Sequence, residues 1–217
     1  MSNGTFDLNE FIRESKEVLV NPKSYFSTMK TSGGMSEPLI KAVIYGVIAG
    51  VLTFIWGLLK FGAGTGIGFG GAVGILGLIW SIFVAIIGLF IGAVILLVIS
   101  AICKGSTDFE ANVRVTAATM VVYPISALLG FAGSINLYLG VIISLAVSIY
   151  ALWILYNGLV EALKTKPETT RIVMYVLVAL FVLLMLTGIG AKRRANQLMK
   201  DFDKSDYKEM MKDLPKN

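Results

Sequence analysis

The sequence predicts an all-α, polytopic integral membrane bundle: five transmembrane helices preceded by an interfacial, amphipathic helical segment. Three observations lead there. The chain is 56% hydrophobic with a mean hydropathy of +0.78. Only 15% of its residues are charged, where a soluble domain carries about 25%. Between Leu39 and Cys103 the only charged side chains are Lys41 and Lys60. That stretch is far longer than the roughly 20 apolar residues that cross a bilayer once.

Residues 1–37 read as an amphipathic segment on the cytosolic side. Asp7 followed by Glu10 makes a capping-box-like start. Leu8, Phe11, Ile12, Val18 and Leu19 then recur at helical spacing. Asn21-Pro22 ends this helix, and Asn21 caps a second one that Pro22 opens. Thr31 to Gly34 is a flexible joint. Residues 38–190 hold the spans and 191–217 form a charged tail.

The first span is expected from Pro38 to Leu59, with Ser36 as its cap and Lys41 snorkelling to the surface. The glycine-rich residues 62–71 are expected as an extracytoplasmic loop folding partly back into the membrane. The second span runs from Ala72 to Cys103. Thr107 and Glu110 suit a capping box for the third, Phe109 to Phe131, with Pro124 kinking it. An uncharged turn over 130–136 leads to the fourth span, Leu137 to Leu163. The fifth runs from Arg171 to Gly190, after a loop broken by Pro167. The tail places Tyr207, Met210, Met211 and Leu214 on one helical face.

The distribution of Lys and Arg sets the orientation. A cytosolic N-terminus puts Arg13, Lys16, Lys23, Lys30, Lys41, Lys104, Arg114, Lys164, Lys166 and Arg171 inside, and only Lys60 in the outside loops. Against this, five spans carry Lys192, Arg193 and Arg194 outside. The expected location is the cell membrane, or an endomembrane if the chain is eukaryotic.

Composition also narrows the function. The net charge is +5, but the basic residues stand at span ends and in the tails, which suits phospholipid headgroups rather than nucleic acid. One cysteine and no histidine exclude an internal disulfide and a Cys/His metal site. The polar, acidic start does not read as a secretory signal peptide. Gly66, Gly68 and Gly71 satisfy GxGxxG, but no βαβ unit surrounds them, so nucleotide binding is not implied. No nucleophile stands with a base, no carboxylate sits at mid-span depth, and neither an enzyme nor a cofactor is expected.

Two sets of candidate residues remain. Gly46 with Gly50 and Gly88 with Gly92 form GxxxG pairs, and Gly140, Ser144 and Ser148 make a small-residue stripe. Such stripes let helices approach closely in lipid. Pro124 belongs with these packing positions. Lys104, Glu110, Arg114, Lys164, Lys166 and Arg171 converge at one end as candidate lipid or partner contacts. Arg114 lies one turn into the third span with Glu110 on the same helical face. A shallow depth is expected for it, because a central arginine costs about 2.5–3.5 kcal/mol on an insertion scale.

The layout resembles the Yip domain family of Ypt/Rab-interacting membrane proteins, in a compact prokaryotic-type form. The resemblance covers about residues 17–185. EVLVNPKSYFSTMKTSGGMSEPLIKAVIYG and CKGSTDFEANVRVTAATMVVYP carry it, with Gly105, Phe109, Arg114 and Pro124 at the family's small-loop, aromatic, basic and proline positions. It implies a cytosolic N-terminus and a non-catalytic role in membrane organisation or trafficking. The Asp-Leu-Tyr-Gly-Pro segment of the eukaryotic members is absent, so small-GTPase binding is not carried over. The expected function is therefore a scaffold whose partners are membrane lipids and other membrane proteins, copies of itself included. The alternative is an oligomeric channel or transporter with a polar path past Thr119, Ser144, Ser148 and Asn157.

Overall fold

The computed structural model describes residues 7–59, 74–185 and 187–188. The glycine-rich segment 62–71 and the charged tail fall outside the described residues. Among the described residues the regular secondary structure is all helical, with no strand. The chain divides into two compact units, 1–175 and 176–217. The first unit carries everything that positions the candidate site. In the second, the described residues continue the last helix, and the Thr187 hydroxyl donates to the Leu184 carbonyl at 2.9 Å.

Among the described residues five helices are long and apolar enough to cross a membrane: Ser36–Leu58, Trp80–Ile102, Phe109–Ile135, Tyr138–Ala162 and Pro167–Met185. Two short helices precede them, α1 (Leu8–Val20) and α2 (Pro22–Thr28). The Asp7 carboxylate accepts from the Asn9 and Glu10 amides to cap α1. Asn21 caps α2 through the Ser24 amide, and Pro22 sits where its missing N–H costs nothing.

The first span is α3 (Ser36–Leu58) and the second is α4 (Gly74–Ile102). They approach closely. A β-carbon placed on Gly46 would stand 2.6 Å from that of Ala85, and the Ser81 hydroxyl donates to the Gly46 carbonyl at 3.4 Å. Gly92 plays the same part between α4 and the third span, where an added β-carbon would lie 2.9 Å from Thr116 Cγ2. Gly88 is looser: its nearest neighbour would be the Tyr123 hydroxyl at 3.9 Å. Gly50 is half-buried.

The third span consists of three pieces, α5 (Phe109–Thr119), α6 (Val122–Leu129) and α7 (Ala132–Ile135). The break at Met120–Val121 follows from Pro124. Proline has no N–H to offer the Met120 carbonyl, which accepts instead from Tyr123 at 2.9 Å in a tighter turn. Pro124 itself is half-buried. Trp56 of α3 ties down the second half by donating Nε1–H to the Ala127 carbonyl at 3.0 Å and lying 5.0 Å from the Phe131 ring.

The fourth span is α8 (Leu137–Asn157) continued by a π-helical turn, Gly158–Ala162. Asn136 caps α8 through the Tyr138 and Leu139 amides. A β-carbon on Gly140 would run into the backbone of Gly133. Ser144 is exposed, while Ser148 is half-buried and donates to the Ser144 carbonyl at 2.8 Å. The fifth span is α9 (Pro167–Met185).

Several boundaries differ from the sequence reading. Ser36 does not cap α3; Met35 holds that position with no side-chain bond. Thr107 does not cap α5; Asp108 does, accepting from the Ala111 amide at 2.8 Å, which leaves Glu110 for another use. The helical path of the third span continues past 131 to Ile135, because Gly130 and Phe131 keep right-handed helical dihedrals. The fifth span opens at Pro167 rather than Arg171, since proline suits a first helical position.

Candidate functional site at the N-terminal end of the bundle

The end of the bundle nearest the N-terminus gathers α1 and α2, the start of α3, the 103–108 loop and the 158–170 segment. Two constructions hold it together.

The first is a chain of charges. Lys41 Nζ stands 2.7 Å from Glu14 of α1 and 2.7 Å from Glu37, and donates to the Tyr25 hydroxyl at 3.4 Å. Glu37 passes the chain on, its other oxygen lying 2.9 Å from Arg114 Nη1. Arg114 Nε donates to Glu110 at 3.1 Å, and Nη2 donates to the Gly34 carbonyl at 2.9 Å. A longer contact of 3.5 Å runs from Nη1 to the Lys30 carbonyl. The Gly34 amide donates to Glu110 at 2.6 Å. The arginine–glutamate pair thus grips the 30–34 joint by its backbone, and Gly33 and Gly34 supply the positive φ values (134° and 94°) that the joint needs there.

Both cations are buried: Lys41 is 7% exposed and Arg114 is 6% exposed. Tyr25 beneath them is buried too, which pushes its phenol up to about 12, against the opposing pull of Lys41. Burying a charge is tolerable only when it is paired and hydrogen-bonded. Three carboxylates around two cations meet that demand. Lys41 therefore does not snorkel to the surface, and Arg114 is not an exposed member of a basic rim.

The second construction joins two loops through their backbones. The Ser106 amide donates to the Leu163 carbonyl at 2.7 Å, and the Lys166 amide donates to the Cys103 carbonyl at 3.0 Å. The bonds are reciprocal, so residues 103–106 and 163–166 face one another as counterparts. The likeness extends to conformation: Lys104 and Lys164 both take left-handed φ values, 59° and 55°. Gly105 lies so close to Thr165 that a β-carbon would overlap its methyl group, and it would stand 2.7 Å from Ser100 Oγ. Ser100 donates to the Ser106 carbonyl at 2.7 Å. Thr170 donates to Thr165 and to the Lys166 carbonyl. Buried Asn112 donates to the carbonyls of Ser106 and Asp108, while its own side-chain oxygen finds no partner among the described residues.

Of the sequence candidates, Lys104, Lys164, Lys166 and Arg171 are exposed, and the first three stand on the stitched loops. Glu110 pairs with Arg114 as its spacing implied, but inside the joint. Sequence reasoning missed Glu14 and Glu37. A lysine inside an apolar run demands a carboxylate, and Glu37 stands four residues before Lys41 on the same helical face. No local pattern announces Glu14. Asn112, Thr165 and Thr170 carry no signal either, because Asn112 and Thr170 serve backbone carbonyls and Thr165 meets Thr170. Among the described residues no cluster of acidic or cysteine side chains suits a metal ion.

Comparison with known proteins gives one finding. The family model described as the Yip1 domain matches residues 16–189, a range that begins inside α1 and takes in the stitched loops and all of the charge chain except Glu14. No curated protein and no solved structure matches the chain. A family match over most of the sequence, on a fold with five helices able to span a membrane, places the protein in the Yip1 domain family.

Proposed function

We propose that this Yip-family membrane protein is a non-catalytic scaffold for membrane organisation or trafficking. It works through lipid and protein contacts at the N-terminal end of the bundle, which faces the cytosol. The observation that carries this reading is the stitched loop pair. It holds Lys104, Lys164 and Lys166 outward on a backbone fixed by reciprocal hydrogen bonds, so a binding partner orders little when it meets them.

The side chains of the polar-path alternative support the scaffold instead. Thr119 donates to the Val115 carbonyl, Ser148 to Ser144 and Asn157 to Trp153, each within its own helix. A conduit needs such donors free to replace water around a solute. The cleft of about 360 Å³ between α4, α5–α6 and α8 is lined mostly by apolar side chains such as Leu96, Ile99 and Val147, which suits lipid.

The test is capture of anionic liposomes by protein held in neutral-lipid nanodiscs, read at two salt concentrations. A basic residue beside an anionic surface contributes on the order of 1 kcal/mol. Replacing Lys104, Lys164 and Lys166 together by glutamine should then weaken capture on the order of a hundredfold, and salt should weaken the native protein likewise. Capture that ignores both changes moves the functional site into the bundle interior.

A further inference from the structure

The second, third and fourth spans form a cleft beneath the stitched loops. α4 packs on α5, and α8 packs on both α5 and α6, so the third span makes a floor with α4 and α8 as walls. The space between them is about 360 Å³. Leu96 and Ile99 line it from α4, Met120 and Val122 from the floor at the break in the third span, and Ala151 and Leu155 from α8. Hydroxyl groups on its lining are engaged within their own helices: Thr116 donates to the Asn112 carbonyl, Thr119 to Val115 and Ser148 to Ser144.

The ends of the spans set its depth. Ile99 stands three residues, and Gly92 ten, before the end of the second span at Ile102. At about 1.5 Å per residue the α4 wall therefore lines the cleft from about 5 to 15 Å below that end. Half of a hydrocarbon core about 30 Å thick is the same depth, so the cleft lies in one leaflet, that of the N-terminal side. Ile95 on its rim is exposed, so the cleft opens sideways into the bilayer. What reaches an apolar space at that depth is an acyl chain, because water is excluded there.

The same span ends place charge above it. Lys104 stands two residues past Ile102, and Lys164 two residues past Ala162 at the end of the fourth span. One lysine thus tops each wall of the cleft, and both are exposed at the level where basic residues meet headgroups. The reciprocal backbone bonds hold the two positions together as counterparts. On α4 the exposed Ile95, Val98 and Ile102 follow one another along one face, from the rim of the cleft up to Lys104. Of the acidic residues beside the loops, Asp108 is occupied as the cap of α5, and Glu168 is exposed on the first turn of α9.

We propose that the cleft and the two lysines are one binding site for a single anionic phospholipid. One acyl chain lies in the cleft between α4 and α8, and the headgroup phosphate is held by Lys104 and Lys164. This rests on the reading that the lysine face works through lipid, and it deepens that reading from a surface attraction to a site of defined size and chemistry.

The experiment is native mass spectrometry of the full chain, delipidated in detergent and titrated with phosphatidylglycerol or phosphatidylcholine. The native protein should retain one lipid, phosphatidylglycerol severalfold more than phosphatidylcholine. Ala151→Phe fills the cleft from the α8 wall and should remove the retained lipid, with Ser148→Leu as a second filling variant should the first not fold. Ser144→Phe, on the exposed side of α8 outside the cleft, should bind as the native protein does. Lys104→Gln with Lys164→Gln should abolish the preference for phosphatidylglycerol. Retention unchanged by both filling variants, or lost equally in Ser144→Phe, would overturn the cleft as the site. A preference that survives the lysine replacements would overturn the headgroup assignment. Liposome capture separates this from the scaffold reading, since Ala151→Phe leaves the lysines in place and should capture anionic liposomes as the native protein does.

Discussion

Arg114 lies one turn into a membrane span, yet it is among the most completely partnered side chains of the protein. Its guanidinium reaches two carboxylates and two carbonyls. Breaking a buried ion pair from one side costs about 3–5 kcal/mol. Here Glu37 and Glu110 are partly exposed and solvent screens them, so Arg114→Gln should cost less, about 2–3 kcal/mol. Thermal melting in detergent measures this, and amide exchange at Gly34 should rise, since its docking onto Glu110 depends on the arginine. Arg114→Lys should restore only part of the stability, because an ammonium cannot reproduce the planar fork. Packing gives a second residue-scale prediction. Gly46→Ala should destabilise by about 1–3 kcal/mol, the usual range for overpacking, because Ala85 is already in the way. Gly88→Ala should melt near the native temperature, since its nearest neighbour leaves ordinary contact distance.

At the scale of elements, the stitched loops behave as one unit. Gly105 is the residue that lets them meet, with Thr165, Ser100 and the Leu163 carbonyl all crowded against it. Gly105→Val should loosen both loops together: faster amide exchange at Ser106 and at Lys166, and a lower melting temperature. Faster exchange at only one of the two would mean that the loops are held independently. Much of the element structure was legible. Asp7, Asn21 and Pro22 announced α1 and α2, the apolar runs announced the spans, and Pro124 announced the break in the third. Other features were not. Asp108 caps α5 instead of Thr107, because one residue of register separates two equally good caps. Arg114 had one partner in sequence reach, Glu110; Glu37 and the Lys30 and Gly34 carbonyls come from a segment brought over by the fold. The stitching itself uses backbone groups, which every sequence possesses, so nothing in the residues of 103–106 or 163–166 announces that they pair.

At the scale of the whole molecule, the account rests on alternation. In that account the first four spans in succession bring the joint at 30–34, the 103–106 loop and the 163–166 loop to one side of the membrane, and the turn at Asn136 to the other. The ion chain and the loop stitching are consistent with that, since they join those three segments at one end of the bundle. The most direct test is sidedness, measured with a membrane-impermeant thiol reagent on variants with one added cysteine in sealed vesicles, where buried Cys103 stays silent. Ser32→Cys, Lys104→Cys and Lys164→Cys should all react from the same side, and Asn136→Cys only from the opposite one. Labelling of Asn136→Cys from the side that labels Lys104→Cys would contradict the alternation, and with it the shared face on which the scaffold reading depends.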